Sequence, residues 1–310
     1  MTTSQFSKIK KRDILNYTIA SILLAVIILV PSQILAPRFW PRKIENETAF
    51  TAKFQFINHE IVWILSNLFF YFVYKTDSHV FEQYKVESEP WPWKEDRGKW
   101  MEQLKKTAKL IFFNQFVVIP GLLGLTYLRG KALMRTDYES LPSLFEMAWQ
   151  LVFIYCMADF FFYWSHRILH WKGLYSHIHK IHHEHKITVA LAAEYAHPIE
   201  FIFGNAFPAN AAVMLLGKRA HLLTLGIYTF YKILQTTHSH SGYQFPFLPN
   251  SIPSAIFPVV SKPEHHSYHH LKFTGNYAGG LIFWDWFFNT NHPKYLEDLK
   301  DRKMKREKEN

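Results

Sequence analysis

The apolar residues of this chain come in long uncharged blocks separated by charged segments. Ile14 to Ala36 runs 23 residues without a charge, directly after Lys8, Lys10, Lys11 and Arg12. That is long enough to span a bilayer with some tilt. It is too long for the apolar core of a cleaved signal, so it reads as an uncleaved anchor. Phe54 to Tyr74 is a second span, with His59 and Glu60 in its first third. Leu110 to Leu128 is a third, uncharged but interrupted by Pro120, Gly121 and Gly124. Leu144 to Ser165 is a fourth, containing Glu146 and Asp159. Phe201 to Gly217 and Ala220 to Thr237 are apolar but interrupted by Pro208 and Lys232. They read as a helical hairpin that dips into the bilayer or lies within a polar domain. Residues 238–293 read as irregular, and the charged last ten as a disordered tail. The expectation is an all-α integral membrane protein. About four transmembrane helices form two antiparallel hairpins, beside a helical domain outside the membrane. Three regions follow: a membrane-anchoring part over 1–143, a domain over 144–293 that includes the fourth span, and a charged tail over 294–310.

Composition sharpens this picture. Phenylalanine (28), tyrosine (16) and tryptophan (10) are abundant while glycine (12) is sparse, and mean hydropathy is near neutral at −0.09. Bunched apolar residues with a neutral mean describe a membrane protein with a sizeable polar domain. The net charge of +10 comes with no nucleic-acid motif, so the partner it implies is an anionic membrane leaflet. Cys156 is the one cysteine, which excludes zinc-finger and disulfide frameworks. With the N-terminus inside, segments 1–13 and 75–109 carry four and eight Lys and Arg, against four and three in 37–53 and 129–140. The bias places the histidine domain in the cytoplasm and the sequon at Asn46 outside.

The chemistry is concentrated in one stretch. Residues 166–185 read HRILHWKGLYSHIHKIHHEH, and fifteen of the chain's eighteen histidines lie between 166 and 270. His166 and His170 stand four apart; His179, His182 and His183 follow as H-x-x-H-H, and His266, His269 and His270 repeat that spacing. Residues three and four apart share a helix face, so each box is expected to aim its imidazoles at one point. Clustered imidazole without cysteine suits iron, zinc or copper and does not suit calcium or magnesium. Eight histidines exceed the needs of one tetrahedral zinc, so two metals are expected. At a membrane face this suggests dioxygen activation against an apolar C–H bond, for which iron, able to cycle its oxidation state, is the natural choice. Asp159 lies two helical turns before His166, on nearly the same face. Its preferred partner is a ligand imidazole, with a Lys or Arg as the alternative.

HRILH (166–170), HKIHH (179–183) and HSYHH (266–270) resemble the fatty acid hydroxylase and sterol desaturase superfamily of membrane non-haem di-iron enzymes. AEYAHPIE (193–200), HSGYQFP (240–246), EHHSYHHLKFTGNYAGG (264–280) and WDW (284–286) are similar to segments of its C4-methylsterol oxidases, in the same order. The resemblance covers roughly 155–290. It implies a monooxygenase of the endoplasmic reticulum membrane oxidising the C4-methyl group of a sterol precursor. Two non-haem irons, O2 and electrons from NAD(P)H through cytochrome b5 or its reductase belong to that implication, with zinc able to replace iron in recombinant protein. No haem or flavin motif is evident in the chain, so the electrons are expected from a partner. Carried over by position, the metal ligands are His166, His170, His179, His182, His183, His266, His269 and His270, joined by His197 and His240. Asp159 matches an acidic position of the family. Glu194, Tyr195, Tyr243 and Asn276 are implied to support the ligands or orient the substrate. His177, His185 and His265 fall outside the pattern.

The chain departs from the family at three places. His238 and Gln244 stand where aspartates are usual, and ITVAL (187–191) replaces a segment with Pro-Phe-Gly. His238 is expected to accept a hydrogen bond from a ligand imidazole, with His240 on the metal. The lipid therefore stays open between a sterol and the fatty acyl, ceramide, alkylglycerol or C5-sterol substrates of sister hydroxylases and desaturases. A histidine-rich zinc-binding or transport protein is the remote alternative.

Overall fold

The computed structural model describes residues 32–246, 248 and 260–309. Most of the first expected span, Ile14 to Ala36, lies outside the described residues. Among the described residues the chain is helical, with isolated backbone bridges but no strand. Four helices are long and apolar enough to cross a membrane: α1 (Glu47–Thr76), α2 (Arg97–Leu128), α3 (Leu144–Leu169) and α4 (Pro198–Arg219). A fifth long helix, α5 (Leu222–His240), runs beside them. Three more follow: α6 (Pro263–Lys272), α7 (Phe283–Phe287) and α8 (Tyr295–Glu309).

Local chemistry sets the starts of these helices. The Asn46 side chain accepts from the Ala49 N–H, Asp96 from Lys99, and Ser143 from Glu146. Each satisfies a donor that has no partner inside the helix. Two short contacts then fix how the helices stand. Gly226 of α5 lets α1 approach: a Cβ there would lie 2.6 Å from the Phe54 ring. Asn58 donates to the carbonyl exposed at that crossing, Gly226 O, at 3.0 Å.

The outward faces of α1 and α2 carry Ile57, Ile61, Ile64, Leu65, Phe72, Phe112, Phe116 and Leu125, all exposed. An apolar surface of this extent on spanning helices is the surface lipid covers. Inside, Ile154 and Ala158 of α3 meet Ala212 and Val213 of α4 and Leu225 and Tyr228 of α5. Trp40 closes the same core and donates to Thr136 O. Small residues at this contact let the helices approach closely.

The bundle has two distinct ends. At one, Arg135 pairs with Glu146, Lys218 lies 3.7 Å from Glu47, and Arg135 bridges to His221. At the other, Lys85 bridges to Tyr243, and Trp91, Tyr243 and Phe245 pack on Phe70 and Val73. Asn46 starts α1 at the first end, and the histidines gather at the second.

Two expectations need correction, and a third is refined. The two apolar stretches do form consecutive helices, α4 and α5, and residues 198–219 make a continuous helical run long and apolar enough to cross a membrane. A wide π turn over Phe201–Ala206 precedes Pro208, which sits in the first turn of the next helical piece. There its missing N–H costs nothing. The stretch after 238 is not wholly irregular, because the third histidine box lies on α6. Tyr295–Glu309 is a helix instead of a disordered tail. Lys272 lies 3.3 Å from Asp298, and Tyr268 donates to the same carboxylate at 2.7 Å, tying its first turn to α6.

Candidate metal centre

Nine imidazoles converge at the end of the bundle in two groups. His166, His170, His179, His183 and His269 form one; His182, His240, His266 and His270 form the other. Within each group the ligand nitrogens all lie within 4.8 Å of one another. Helix geometry explains who joins which. The i, i+4 pairs stay together: His166 with His170, His179 with His183, and His266 with His270. The expectation that each box aims at one point holds for the first box alone. His182 and His183 are neighbours in a 3-10 turn and so point about 120° apart, and one goes to each group. On α6 His269 lies about 100° from its neighbour His270 and joins the first group, while His266 and His270 stay together in the second. Boxes two and three therefore stitch the two centres together.

The spacing of the nitrogens fits metal. In the first group His166 Nε2 lies 3.1 Å from His179 Nε2, and His183 Nε2 lies 3.0 Å from His179 and 3.3 Å from His170. In the second, His240 Nε2 is 2.8 Å from His266 and 3.2 Å from His182, and His270 is 3.2 Å from His266. An ion bound at 2.0–2.1 Å by neighbouring imidazoles sets their nitrogens about 3 Å apart. Nine nitrogens without a thiolate are a transition-metal donor set. Five around one point exceed the four of a tetrahedral zinc site.

The other face of most rings is held. His166 Nδ1 donates to Tyr277 O at 2.7 Å, His269 to Gly275 O at 2.7 Å, His182 to Tyr195 O at 3.0 Å, His240 to Thr236 O at 2.8 Å and His270 to His185 O at 3.2 Å. His179 Nδ1 instead donates to a carboxylate, Glu200 Oε1, at 2.7 Å. A donated Nδ1–H leaves the Nε2 lone pair pointing inward and fixes the ring. Burial, reinforced by repulsion among neighbours, keeps these imidazoles neutral. His170 is pushed down to about 2 by burial and then by His166 and His182. His182 is pushed down to about 4, mainly by burial. His183, His240, His266, His269 and His270 move well below the ordinary histidine value for the same leading reason.

Two adjoining cavities meet the centre. A small one of about 30 Å³ lies between the groups, against His166 and His179 on one side and His182, His240 and His266 on the other. A larger one of about 210 Å³ is lined by Ile119, Leu122 and Leu123 of α2, Phe162 of α3, Phe201 and Ala209 of α4, and Leu225, Tyr228 and Ile233 of α5. It ends on His240 and His266. Phe162, Gly204, Asn205 and Thr236 line both.

The remaining expected site residues are dispersed. His197 joins neither group; its Nδ1 accepts from the Ile199 N–H at 3.2 Å and caps α4. Asp159 does not meet an imidazole. It accepts from the N–H groups of Gly280 and Leu281 at 2.6 and 2.8 Å, and Lys232 attracts it electrostatically. It thus pins the loop whose Tyr277 carbonyl holds His166. Glu194 faces the larger cavity, 3.2 Å from His59 and bonded by Gln115. Tyr195 contributes its carbonyl to His182, while its hydroxyl donates to Glu184 at 2.7 Å. Tyr243 is buried in the aromatic cluster and donates to Glu82. Asn276 has φ 56° and accepts from the His292 N–H at 2.8 Å, shaping the loop. His238 is buried and stacks on Phe70. His185 bonds Thr107 at 2.9 Å, His265 lies 3.5 Å from Asp285, and His177 is exposed.

Two supporting groups escaped sequence reasoning. Glu200 closes AEYAHPIE, yet only the fold shows it behind His179. Asp285, in WDW, accepts from the Tyr277 and Ala278 N–H groups, each at 2.8 Å, and burial pushes its carboxyl up to about 6.

The fatty acid hydroxylase family model matches residues 151–290. A methylsterol monooxygenase 2-2 of Arabidopsis thaliana is 33% identical over 251 residues, 79% of this chain and 88% of that protein. A very-long-chain aldehyde decarbonylase GL1-8 of Oryza sativa subsp. japonica is 35% identical over 210 residues, 67% of this chain and 74% of its own length. The methylsterol monooxygenase erg25B of Aspergillus fumigatus is 29% identical over 276 residues, 86% of each chain. No solved structure matches. Histidine boxes, an all-helical membrane fold and relatives of this extent agree: the chain is an oxidoreductase and belongs to the fatty acid hydroxylase family.

Proposed function

We propose that this protein is a dioxygen-dependent methyl hydroxylase acting on the C4-methyl group of a sterol precursor. The observation that carries the reading is the larger cavity, walled by apolar residues of α5 and of spanning helices and ending on two histidines of the second group. A lipid nearly insoluble in water would enter such a space from the bilayer. Two relatives named methylsterol monooxygenase, matched over most of both chains, support the sterol.

Two non-haem irons on the nine imidazoles would supply the dioxygen chemistry that attacks an unactivated C–H bond. The protein's own part is positional. Phe162, Leu225 and Ile233 exclude water and hold the ring system, and the carbonyls and Glu200 behind the imidazoles keep nine lone pairs converging. Asp159 and Asp285 anchor the 277–281 loop from two sides. NAD(P)H through cytochrome b5 or its reductase is the proposed electron source. The proposed setting is the endoplasmic reticulum membrane, with the histidine end in the cytoplasm.

Iron-loaded protein in membranes, given a 4,4-dimethylsterol, O2 and NADH with the reductase, should yield sterol oxidised at the C4-methyl carbon. Full turnover by iron-free protein would overturn the iron assignment. Zinc in purified protein would not, because imidazole sites bind Zn(II) more tightly than Fe(II). The decarbonylase relative favours a second reading, a long-chain aldehyde substrate. Consumption of such an aldehyde, with the sterol untouched, would establish it. For orientation, a glycan at Asn46 supports the proposal, and a glycan at a sequon placed beside His177 reverses it.

A further inference from the structure

Most polar side chains facing the larger cavity are already engaged. His59 and Glu194 hold each other, and Gln115 takes the second Glu194 oxygen. Asn210 donates to Ala206 O, and Gln235 gives its amide N–H to the Tyr155 hydroxyl. Lys232 is different. Its ammonium donates to Gln235 Oε1 at 3.0 Å, which uses one of its three N–H groups. Asp159 attracts it from α3, while each Asp159 oxygen also accepts one backbone N–H. A cation in an apolar wall is costly unless an oxygen meets it.

One ring neighbours both Lys232 and the centre. The Lys232 ammonium lies 5.4 Å from the centroid of Phe162, and the imidazole of His166 lies 5.3 Å from that same ring. Phe162 lines both cavities. Along α5, Thr229, Lys232, Thr236 and Ser239 fall on one stripe facing the cavity, and that stripe ends at His240.

We propose that Lys232 is the recognition group for the polar end of the lipid. Its two remaining N–H groups take an oxygen acceptor, a carboxylate in preference to a hydroxyl. This deepens the oxygenase reading and rests on it for the lipid and the metals. A plain hydrocarbon has nothing to offer Lys232, so the site selects oxygenated lipids. The stripe position also makes Lys232 a binding residue and not one that touches the reacting carbon.

The test is equilibrium binding to purified, metal-loaded full-length protein in detergent, which needs no turnover. Four probes are compared: a 4,4-dimethylsterol with its 3-hydroxyl, the same hydrocarbon lacking that hydroxyl, a 4,4-dimethylsterol (the carboxysterol) with a carboxylate in place of the 3-hydroxyl, and palmitate. Lys232→Met should weaken the hydroxysterol about tenfold and the carboxysterol about a hundredfold, leaving the hydrocarbon within about twofold. Lys232→Arg, which keeps the charge, should recover most carboxysterol affinity. Metal content and melting temperature close to wild type show that the variants are folded. Equal weakening of all probes by Lys232→Met, or of none, overturns the inference. If palmitate alone shows the lysine-dependent loss and no sterol binds, the sterol reading fails while the role of Lys232 stands.

Discussion

The two histidine groups are built from the same side chain but supported differently. The five-nitrogen group hangs on the end of a spanning helix, through His166 and His170, and one of its rings is backed by a carboxylate, Glu200 behind His179. The four-nitrogen group draws on α5, α6 and the turn at His182, and the held rings are backed by backbone carbonyls alone. A carboxylate makes its imidazole a stronger donor, and a carbonyl does so less. The larger cavity reaches His240 and His266 of the second group. The difference assigns unlike tasks. The first group offers more ligands and stronger support, and the second offers fewer and faces the larger cavity.

The largest effects come from removing ligands. His179→Ala should empty the first centre and His240→Ala the second, each taking metal content from the proposed two per chain to about one and abolishing turnover. Metal analysis of purified variants reads this directly. If either substitution released both metals, the groups would be one cluster and the contrast would collapse. Stripping both metals from the wild type should lower its melting temperature, because an ion that binds only the native state stabilises it.

Glu200→Gln sharpens the contrast. It keeps a hydrogen-bond acceptor behind His179 but removes the charge, and metal affinity at the first centre should fall about 10- to 100-fold. The second centre should hold its metal at wild-type affinity. Competitive chelation with two resolved steps measures both. Equal loss at both centres would show that the carboxylate supports the cluster as a whole.

Much of this arrangement was legible in the residues, and the reasons for the rest are physical. The i, i+4 spacing of His166 and His170 placed both on one centre, because a helix repeats on that interval. Adjacent histidines carry no such instruction, so the division of His182 from His183 depended on where the facing chains lie. Asp159 was expected against an imidazole at two turns' distance. The loop at Gly280, more than a hundred residues away, offered it two N–H groups instead. The span at 198–219 was obscured by Pro208, since a proline is harmless only when a helix is re-started before it, and that re-start is a property of the backbone. His197 sits inside a family-like motif, and the motif did not distinguish a ligand from a helix cap.

A smaller effect is expected at the loop that serves the first centre. At Gly280 a Cβ would lie 2.5 Å from the Tyr155 hydroxyl and 2.8 Å from Asp159 Oδ1. Gly280→Ala should therefore push the loop off Asp159, costing about 1–3 kcal/mol. The displaced Tyr277 carbonyl would loosen His166, so the first centre should lose affinity before the second. A drop in melting temperature with both affinities unchanged would show that the loop tolerates the shift without passing it to the metal.

The smallest effect should come from His197, and it tests the two-group description most directly. Its Nδ1 accepts from the Ile199 N–H, so the ring caps the first turn of α4, and Glu200 lies just inside that turn. His197→Ala removes the cap and should cost about 0.5–2 kcal/mol, seen as a modest fall in melting temperature. His197→Asn offers a side-chain oxygen to the same N–H and should restore most of the loss. Neither variant should change metal stoichiometry, because no ligand nitrogen is removed. A small weakening at the first centre is the most that can pass through Glu200 to His179. Loss of a whole metal from His197→Ala, not rescued by Asn, would make His197 a tenth ligand, and the imidazoles would then have to be regrouped around it.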